Sequence, residues 1–223
     1  EGYDGLDSER DTEEEVATAI RCCPEVLARR DERFQYYPIQ CLTFTQDENN
    51  TKMTRNMKAV SFIPLFVQVA MEFNSFPNEE RGGLLIEDDG GGNVLHDLMN
   101  SSSDLSLDDH RHQHVDTTCL AVLIRLRRSG YFVKNDIQHY GLVHFLCQKK
   151  YFYEQRFQFL SEWDPASLLR TNVNNESPLH RKVGNSREFQ VLLEAYFRYY
   201  PRWKGLRALF TLNNEGETPF ELA

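Results

Sequence analysis

The chain lacks any long apolar run. Its longest, Ala59 to Met71, is broken by Ser61, Pro64 and Gln68 and falls short of the ~20 residues that a bilayer-spanning helix needs. A membrane-spanning protein is therefore excluded, and no membrane partner is expected. No basic-then-apolar leader opens the sequence, which begins without Met and stops on Thr218-Pro219-Phe220-Glu221-Leu222-Ala223, the start of a helix; a fragment of a longer chain is expected. The cysteines are few and odd in number. Cys22, Cys23, Cys41, Cys119 and Cys147 follow no framework spacing, which predicts buried free thiols in a reducing compartment, the cytoplasm first and the nucleus second. Catalytic motifs are missing too. No Gly-rich phosphate loop follows a strand and no Gly-x-Ser-x-Gly elbow occurs, so an enzyme, a bound cofactor and a small-molecule ligand are all not expected.

What is present is a globular composition: 223 residues, 40% hydrophobic and 26% charged. The net charge of −9 is unevenly spread, with −7 over residues 1–15, −7 over 16–120 and +5 over 121–223. Residues 1–12, acidic and Gly-bearing, predict a solvated, disordered tail. Arg125, Arg127, Arg128, Lys149, Lys150, Arg202, Lys204 and Arg207, with Tyr199, Tyr200 and Trp203 nearby, are what a nucleic-acid surface would use. The overall negative charge argues against that use.

A repeat is the most informative feature. Five short segments fall into register: Tyr37-Pro38-Ile39-Gln40, Asn93-Val94-Leu95-His96, Gly141-Leu142-Val143-His144, Ser177-Pro178-Leu179-His180 and Thr218-Pro219-Phe220-Glu221, spaced by 56, 48, 36 and 41 residues. With the second residue of each as zero, position −6 is Asp88, Asp136, Asn172 or Asn213, and position −3 is Gly91, Asn175 or Gly216. Gly or Asn at −3 supplies the positive φ of a tight turn, and Asp or Asn at −6 bonds nearby backbone N–H groups. A hydroxyl at the N-cap followed by Pro, as in Ser177-Pro178 and Thr218-Pro219, opens a helix. The histidines two residues after zero, His96, His144 and His180, are expected to tie each helix to its turn.

This pattern resembles the ankyrin repeat, in which an Asp–Gly turn leads into a Thr-Pro-Leu-His helix start and two antiparallel helices with a period of ~33 residues. The resemblance is close in Asn172 to His180 and Asn213 to Ala223, and looser in Asp88 to Leu98, Asp136 to Leu146 and Arg29 to Leu42. Every spacing here exceeds the family's period. The expected fold is an all-α solenoid of stacked helix-turn-helix units over residues 13–223, stabilised by neighbour-on-neighbour packing.

The second helices are expected between those segments. Thr12-Glu13-Glu14-Glu15 has the form of a capping box, followed by Val16, Ala19, Ile20 and Cys23 at helical spacing and closed by Pro24. Ser61 to Phe73, Thr117 to Arg128, Tyr151 to Trp163 and Ser186 to Tyr200 carry comparable apolar stripes. Residues 46–56 and 100–116 read as polar insertions. The second holds His110, His112 and His114 among aspartates, but alternate residues on a loop lack a preorganised metal geometry, so no metal is expected.

The resemblance implies a protein-interaction scaffold whose unidentified protein partner binds the concave face and the turn tips. The tip row is Arg33 and Phe34, Asp89 and Gly90, Ile137 and Gln138, Val173 and Asn174, Asn214 and Glu215, with Phe34 and Ile137 as exposed apolar anchors. The other readings are a regulatory ankyrin segment of a larger enzyme and a nucleic-acid binder using the positive half.

Overall fold

The computed structural model describes residues 5–32, 35–46, 53–100, 109–184 and 186–223. They are dominated by helix: α1 (Glu13–Cys22), α2 (Pro38–Cys41), α3 (Ile63–Glu72), α4 (Val94–Met99), α5 (Asp109–Arg128), α6 (Lys134–His139), α7 (Leu142–Cys147), α8 (Glu154–Trp163), α9 (Ser186–Tyr199), α10 (Trp203–Arg207) and α11 (Pro219–Leu222). Among the described residues no helix is long and apolar enough to cross a membrane. The chain separates into two compact units, one of Glu1–Leu98 with Ser102–Phe132 and the other of Val133–Ala223 with Met99–Ser101.

In the first unit α1 begins where the sequence signals it. The Thr12 hydroxyl accepts from the Glu15 N–H at 3.2 Å while the Glu15 carboxylate accepts from the Thr12 N–H at 3.0 Å, which satisfies two N–H groups that a helix start otherwise leaves open. Pro24 ends the helix by opening a 3-10 turn over Pro24–Ala28. Its buried face is Val16, Ala17 and Ile20, whereas Ala19 is exposed. Helix α3 carries Pro64 in its first turn, where a missing N–H costs nothing. Ile63, Leu65, Phe66, Val67, Val69 and Ala70 are all buried. A helix apolar all round has to be enclosed, and α3 packs against both α1 and α5.

Two expectations are corrected in this unit. Residues 109–116 are not an insertion but the first half of α5. His112, Val115, Asp116, Cys119, Val122, Leu123 and Leu126 form one buried helical face, continuing the apolar stripe of the second half. His110 and His114 lie on the exposed side of that helix, and the described residues contain no cluster of three potential metal ligands. Around the first expected insertion, Phe44–Gln46 (β1) and Met53–Arg55 (β2) pair antiparallel, with Phe44 opposite Arg55 and Gln46 opposite Met53. Residues 5–12, expected as part of a disordered tail, are tied down. The Ser8 N–H donates to the Lys58 carbonyl at 3.3 Å, and the Lys58 ammonium meets the carboxylates of Asp7 at 2.8 Å and Glu9 at 2.9 Å.

In the second unit α7 packs on α8, α8 on α9 and α9 on α10, each element mostly on its sequence neighbour. The core is Leu142, Leu146, Tyr153, Phe157, Leu160, Leu168, Leu179, Leu192 and Tyr196. Arg156 is buried with its guanidinium 3.9 Å from the centre of the Tyr153 ring. Lys182, also buried, donates to the Lys149 carbonyl and meets Glu188, both at 2.7 Å, so the charge enters the core already compensated. The short helix expected after Ser177-Pro178 is a single 3-10 turn, His180–Lys182.

The Gly141 segment departs furthest from the expected pattern. Position −3 there is His139, with no Gly or Asn to take a positive φ, and residues 134–139 form α6 in place of a turn. Asp136 is a buried cap whose carboxylate accepts from the Val133 N–H at 2.8 Å, and the left-handed bend falls at Gly141, φ +58°. Ile137 faces inward and is fully buried. It is therefore not the exposed anchor expected from its place in the row.

The cysteines also split differently from expectation. All five are free thiols; Cys119 and Cys147 are buried and Cys41 half-buried, but Cys22 and Cys23 are exposed at the end of α1, since the buried face of that helix runs through Val16 and Ile20.

Candidate functional site

Three turns repeat one geometry. The residue at −6 closes a backbone bracket with the residue at −2: Asp88 N–H to Gly92 O at 2.7 Å, Asn172 N–H to Glu176 O at 3.0 Å and Asn213 N–H to Glu217 O at 2.9 Å. Its side chain accepts from the N–H groups at −4 and −2, at 2.8–3.0 Å in each case. Position −3 is left-handed throughout, with φ of +75° at Gly91, +58° at Asn175 and +80° at Gly216. Four residues are thus held by their own backbone, leaving the side chains between −6 and −3 free to point outward.

A fourth turn shares this geometry with one extra residue. Asp31 donates to the Tyr36 carbonyl at 2.9 Å, its carboxylate accepts from the Tyr36 N–H at 3.0 Å, and Gln35 takes the left-handed position at φ +60°. Counting back six from Pro38 lands on Glu32, so the bracketing residue is missed by one; the Asp itself was the available signal.

The residue at +2 latches the helix to its own turn in four of the five segments; at Gly141 the N–H donates to the Gln138 carbonyl instead, so His144 does not make the expected tie. The backbone N–H at −1 donates to Gln40 Oε1 at 2.9 Å, His96 Nδ1 at 3.3 Å, His180 Nδ1 at 2.9 Å and Glu221 Oε2 at 3.0 Å. In the second unit both imidazoles reach the following turn. His144 Nε2 donates to the Glu176 carbonyl at 2.7 Å, and His180 Nε2 lies 3.4 Å from that of Glu217. Burial holds the His144 ring below the usual imidazole range, against the opposing pull of the Glu176 carbonyl, which suits a neutral ring with one fixed donor. Adjacent tips join directly: Asn214 N–H to Asn174 O at 3.0 Å, Asn214 Nδ2 to Val173 O at 3.2 Å and Asn175 Nδ2 to Leu212 O at 2.7 Å.

Of the expected tip residues, Asp89, Asn174 and Asn214 stand exposed on these turns, and Val173 is 94% exposed. Arg33 and Phe34 lie outside the described residues. Ile137 is buried in α6, and Gln138 is engaged: its amide donates to Asp164 at 2.7 Å and accepts from Arg170. In the first unit a cleft of about 260 Å³ separates the Asp31–Tyr36 and Asp88–Gly92 turns, lined by Arg30, Tyr36, Glu87, Asp88 and Asp89 among others. Burial and the carboxylates of Asp88, Asp97 and Asp89 push the Tyr36 hydroxyl up. The Tyr37 hydroxyl, by its hydrogen bond, and after it the charge of Asp89 raise Arg30, whose guanidinium lies 4.7 Å from the centre of the Tyr37 ring. This cleft offers acceptors and an aromatic wall to a donor group.

Two of the bases that a nucleic-acid surface would use are engaged within their own units. Arg125 pairs with Glu13 through both guanidinium nitrogens, and the Lys149 ammonium lies 3.8 Å from the centre of the Phe145 ring. No family model matches this chain, and comparison with curated proteins and with solved structures found no match.

Proposed function

We propose that the chain is a non-enzymatic protein-interaction scaffold, built as an array of divergent ankyrin-like repeats, whose partner binds the turn tips and the first helices behind them. The observation that carries this reading is the repeated turn at Asp88, Asn172 and Asn213. Each spends its backbone and its bracketing side chain on rigidity, so that the exposed side chains of Asp89, Val173 and Asn174 lose little entropy on contact. The hydrogen bonds between the Asn172 and Asn213 turns fix the spacing of two neighbouring tips. Within the second unit, two neighbouring tips held rigid and exposed, with one bare apolar side chain, Val173, have the makeup of a recognition surface.

The test is a tip variant, Asp89→Lys with Val173→Asp, compared with the parent chain by quantitative capture and mass spectrometry. The melting temperature is expected to stay within about 2 °C, since neither side chain is buried, while the main captured protein falls at least tenfold. Equal capture with the fold intact would remove the tips from the proposal.

A further inference from the structure

Behind the tips, within the second unit, α10 leans across the end of α9 and leaves a cavity of about 390 Å³. Contact between the two helices is close because position 205 is Gly: a Cβ there would stand 2.5 Å from the Tyr200 carbonyl oxygen. The chain reaches this position through Arg202, held at φ +64° and ψ −138°, a conformation that costs a residue with a side chain and that collects at functional places. The cavity is amphipathic. Buried Leu168 and Tyr196 line its interior, and the half-buried Tyr200 lines one side. Lys204 and Arg207 also line it, both exposed, and among the described residues neither pairs with a carboxylate.

Its polar groups differ in availability. The Tyr196 hydroxyl already donates to the Leu168 carbonyl. The Tyr200 hydroxyl has no hydrogen-bond partner among the described residues, and burial first, then the charge of Asp164, keep it in its protonated, donating form. Two cations and one phenol donor beside an apolar interior complement an anionic head on an apolar body.

We propose that this cavity binds a small amphipathic carboxylate, its apolar body against Leu168 and Tyr196 and its carboxylate held by Lys204, Arg207 and the Tyr200 hydroxyl. The site is separate from the tip row, and its occupancy does not depend on the scaffold reading.

Octanoate, 1-octanol and octylammonium, titrated into the whole chain by calorimetry, isolate the head group while keeping the body constant. Octanoate is expected to bind one to one, octanol at least fivefold more weakly, and octylammonium not measurably. Lys204→Gln with Arg207→Gln should weaken octanoate about tenfold and leave octanol unchanged, and Thr171→Trp, at an exposed lining position, should block both. Amide chemical shifts in the unaltered chain should move between Leu168 and Thr211, which tests the location even where a variant misfolds. No octanoate binding, equal binding of all three probes, shifts confined elsewhere, or full octanoate affinity in the folded double variant would each overturn the proposal.

Discussion

Replacing His180 tests the latch at the atom. Its Nδ1 accepts from the Ser177 N–H at 2.9 Å and lies 2.9 Å from the Ser177 hydroxyl, and Ser177 is buried. His180→Ala therefore strands a buried donor, which costs about 1–3 kcal/mol, and opens the space of a buried imidazole, adding on the order of 1 kcal/mol. The expected loss is about 2–4 kcal/mol, read as a lower urea midpoint with unchanged m. His180→Gln sharpens the argument. At the same register position Gln40 already holds the Tyr37 N–H at 2.9 Å through its amide oxygen, so Gln at 180 should recover most of the loss. An Ala variant within about 0.5 kcal/mol of the parent, or a Gln variant as damaged as Ala, would refute the latch.

Three further outcomes follow from other residues. Gly205→Ala should destabilise by about 1–3 kcal/mol because its Cβ meets the Tyr200 carbonyl, while Arg202→Gly should stabilise by about 1 kcal/mol by relieving a positive φ; thermal melts of both check the α9–α10 corner. His144, whose folded imidazole is depressed by burial, takes up a proton more readily when unfolded, near pH ~6.5. Its contribution is present above that pH and is lost as pH falls through the depressed folded value, so the midpoint difference between the parent and His144→Gln should shrink on acidification. Cys22 and Cys23 should react with a thiol reagent in the native protein. Cys147, pushed up to about 12 by burial, should react only on unfolding.

What the sequence disclosed was the chemistry that is local. Turns at Asp88, Asn172 and Asn213 were readable because side chain, left-handed residue and cap all lie within seven residues of one another. The α1 capping box and the place of Pro64 were readable for the same reason. Where tertiary burial decides, reading failed. The stretch from Asp109 to Asp116 looks polar, yet one helical face of it carries His112, Val115 and Asp116 into the interior, and spacing rather than composition was the clue. Ile137 was placed on a tip because the register was extended to a segment whose −3 residue, His139, cannot readily make the turn. The cavity beside Lys204 and Arg207 joins residues up to 43 positions apart, from Leu168 to Thr211, and no local motif announces it.

The scaffold reading rests on which face meets the partner, and site-specific photocrosslinking reads that face directly. A photoreactive amino acid is placed in turn at Val173, at Asp89 and at Gln190, the last exposed within helix α9 rather than on a turn. Each folded variant is irradiated with the captured partner present. Crosslinks from Val173 and Asp89, with none from Gln190, are the expected result. Crosslinks from Gln190 alone would contradict it, since the partner would then be recognised by α9 and the turn tips would be left without a part in binding.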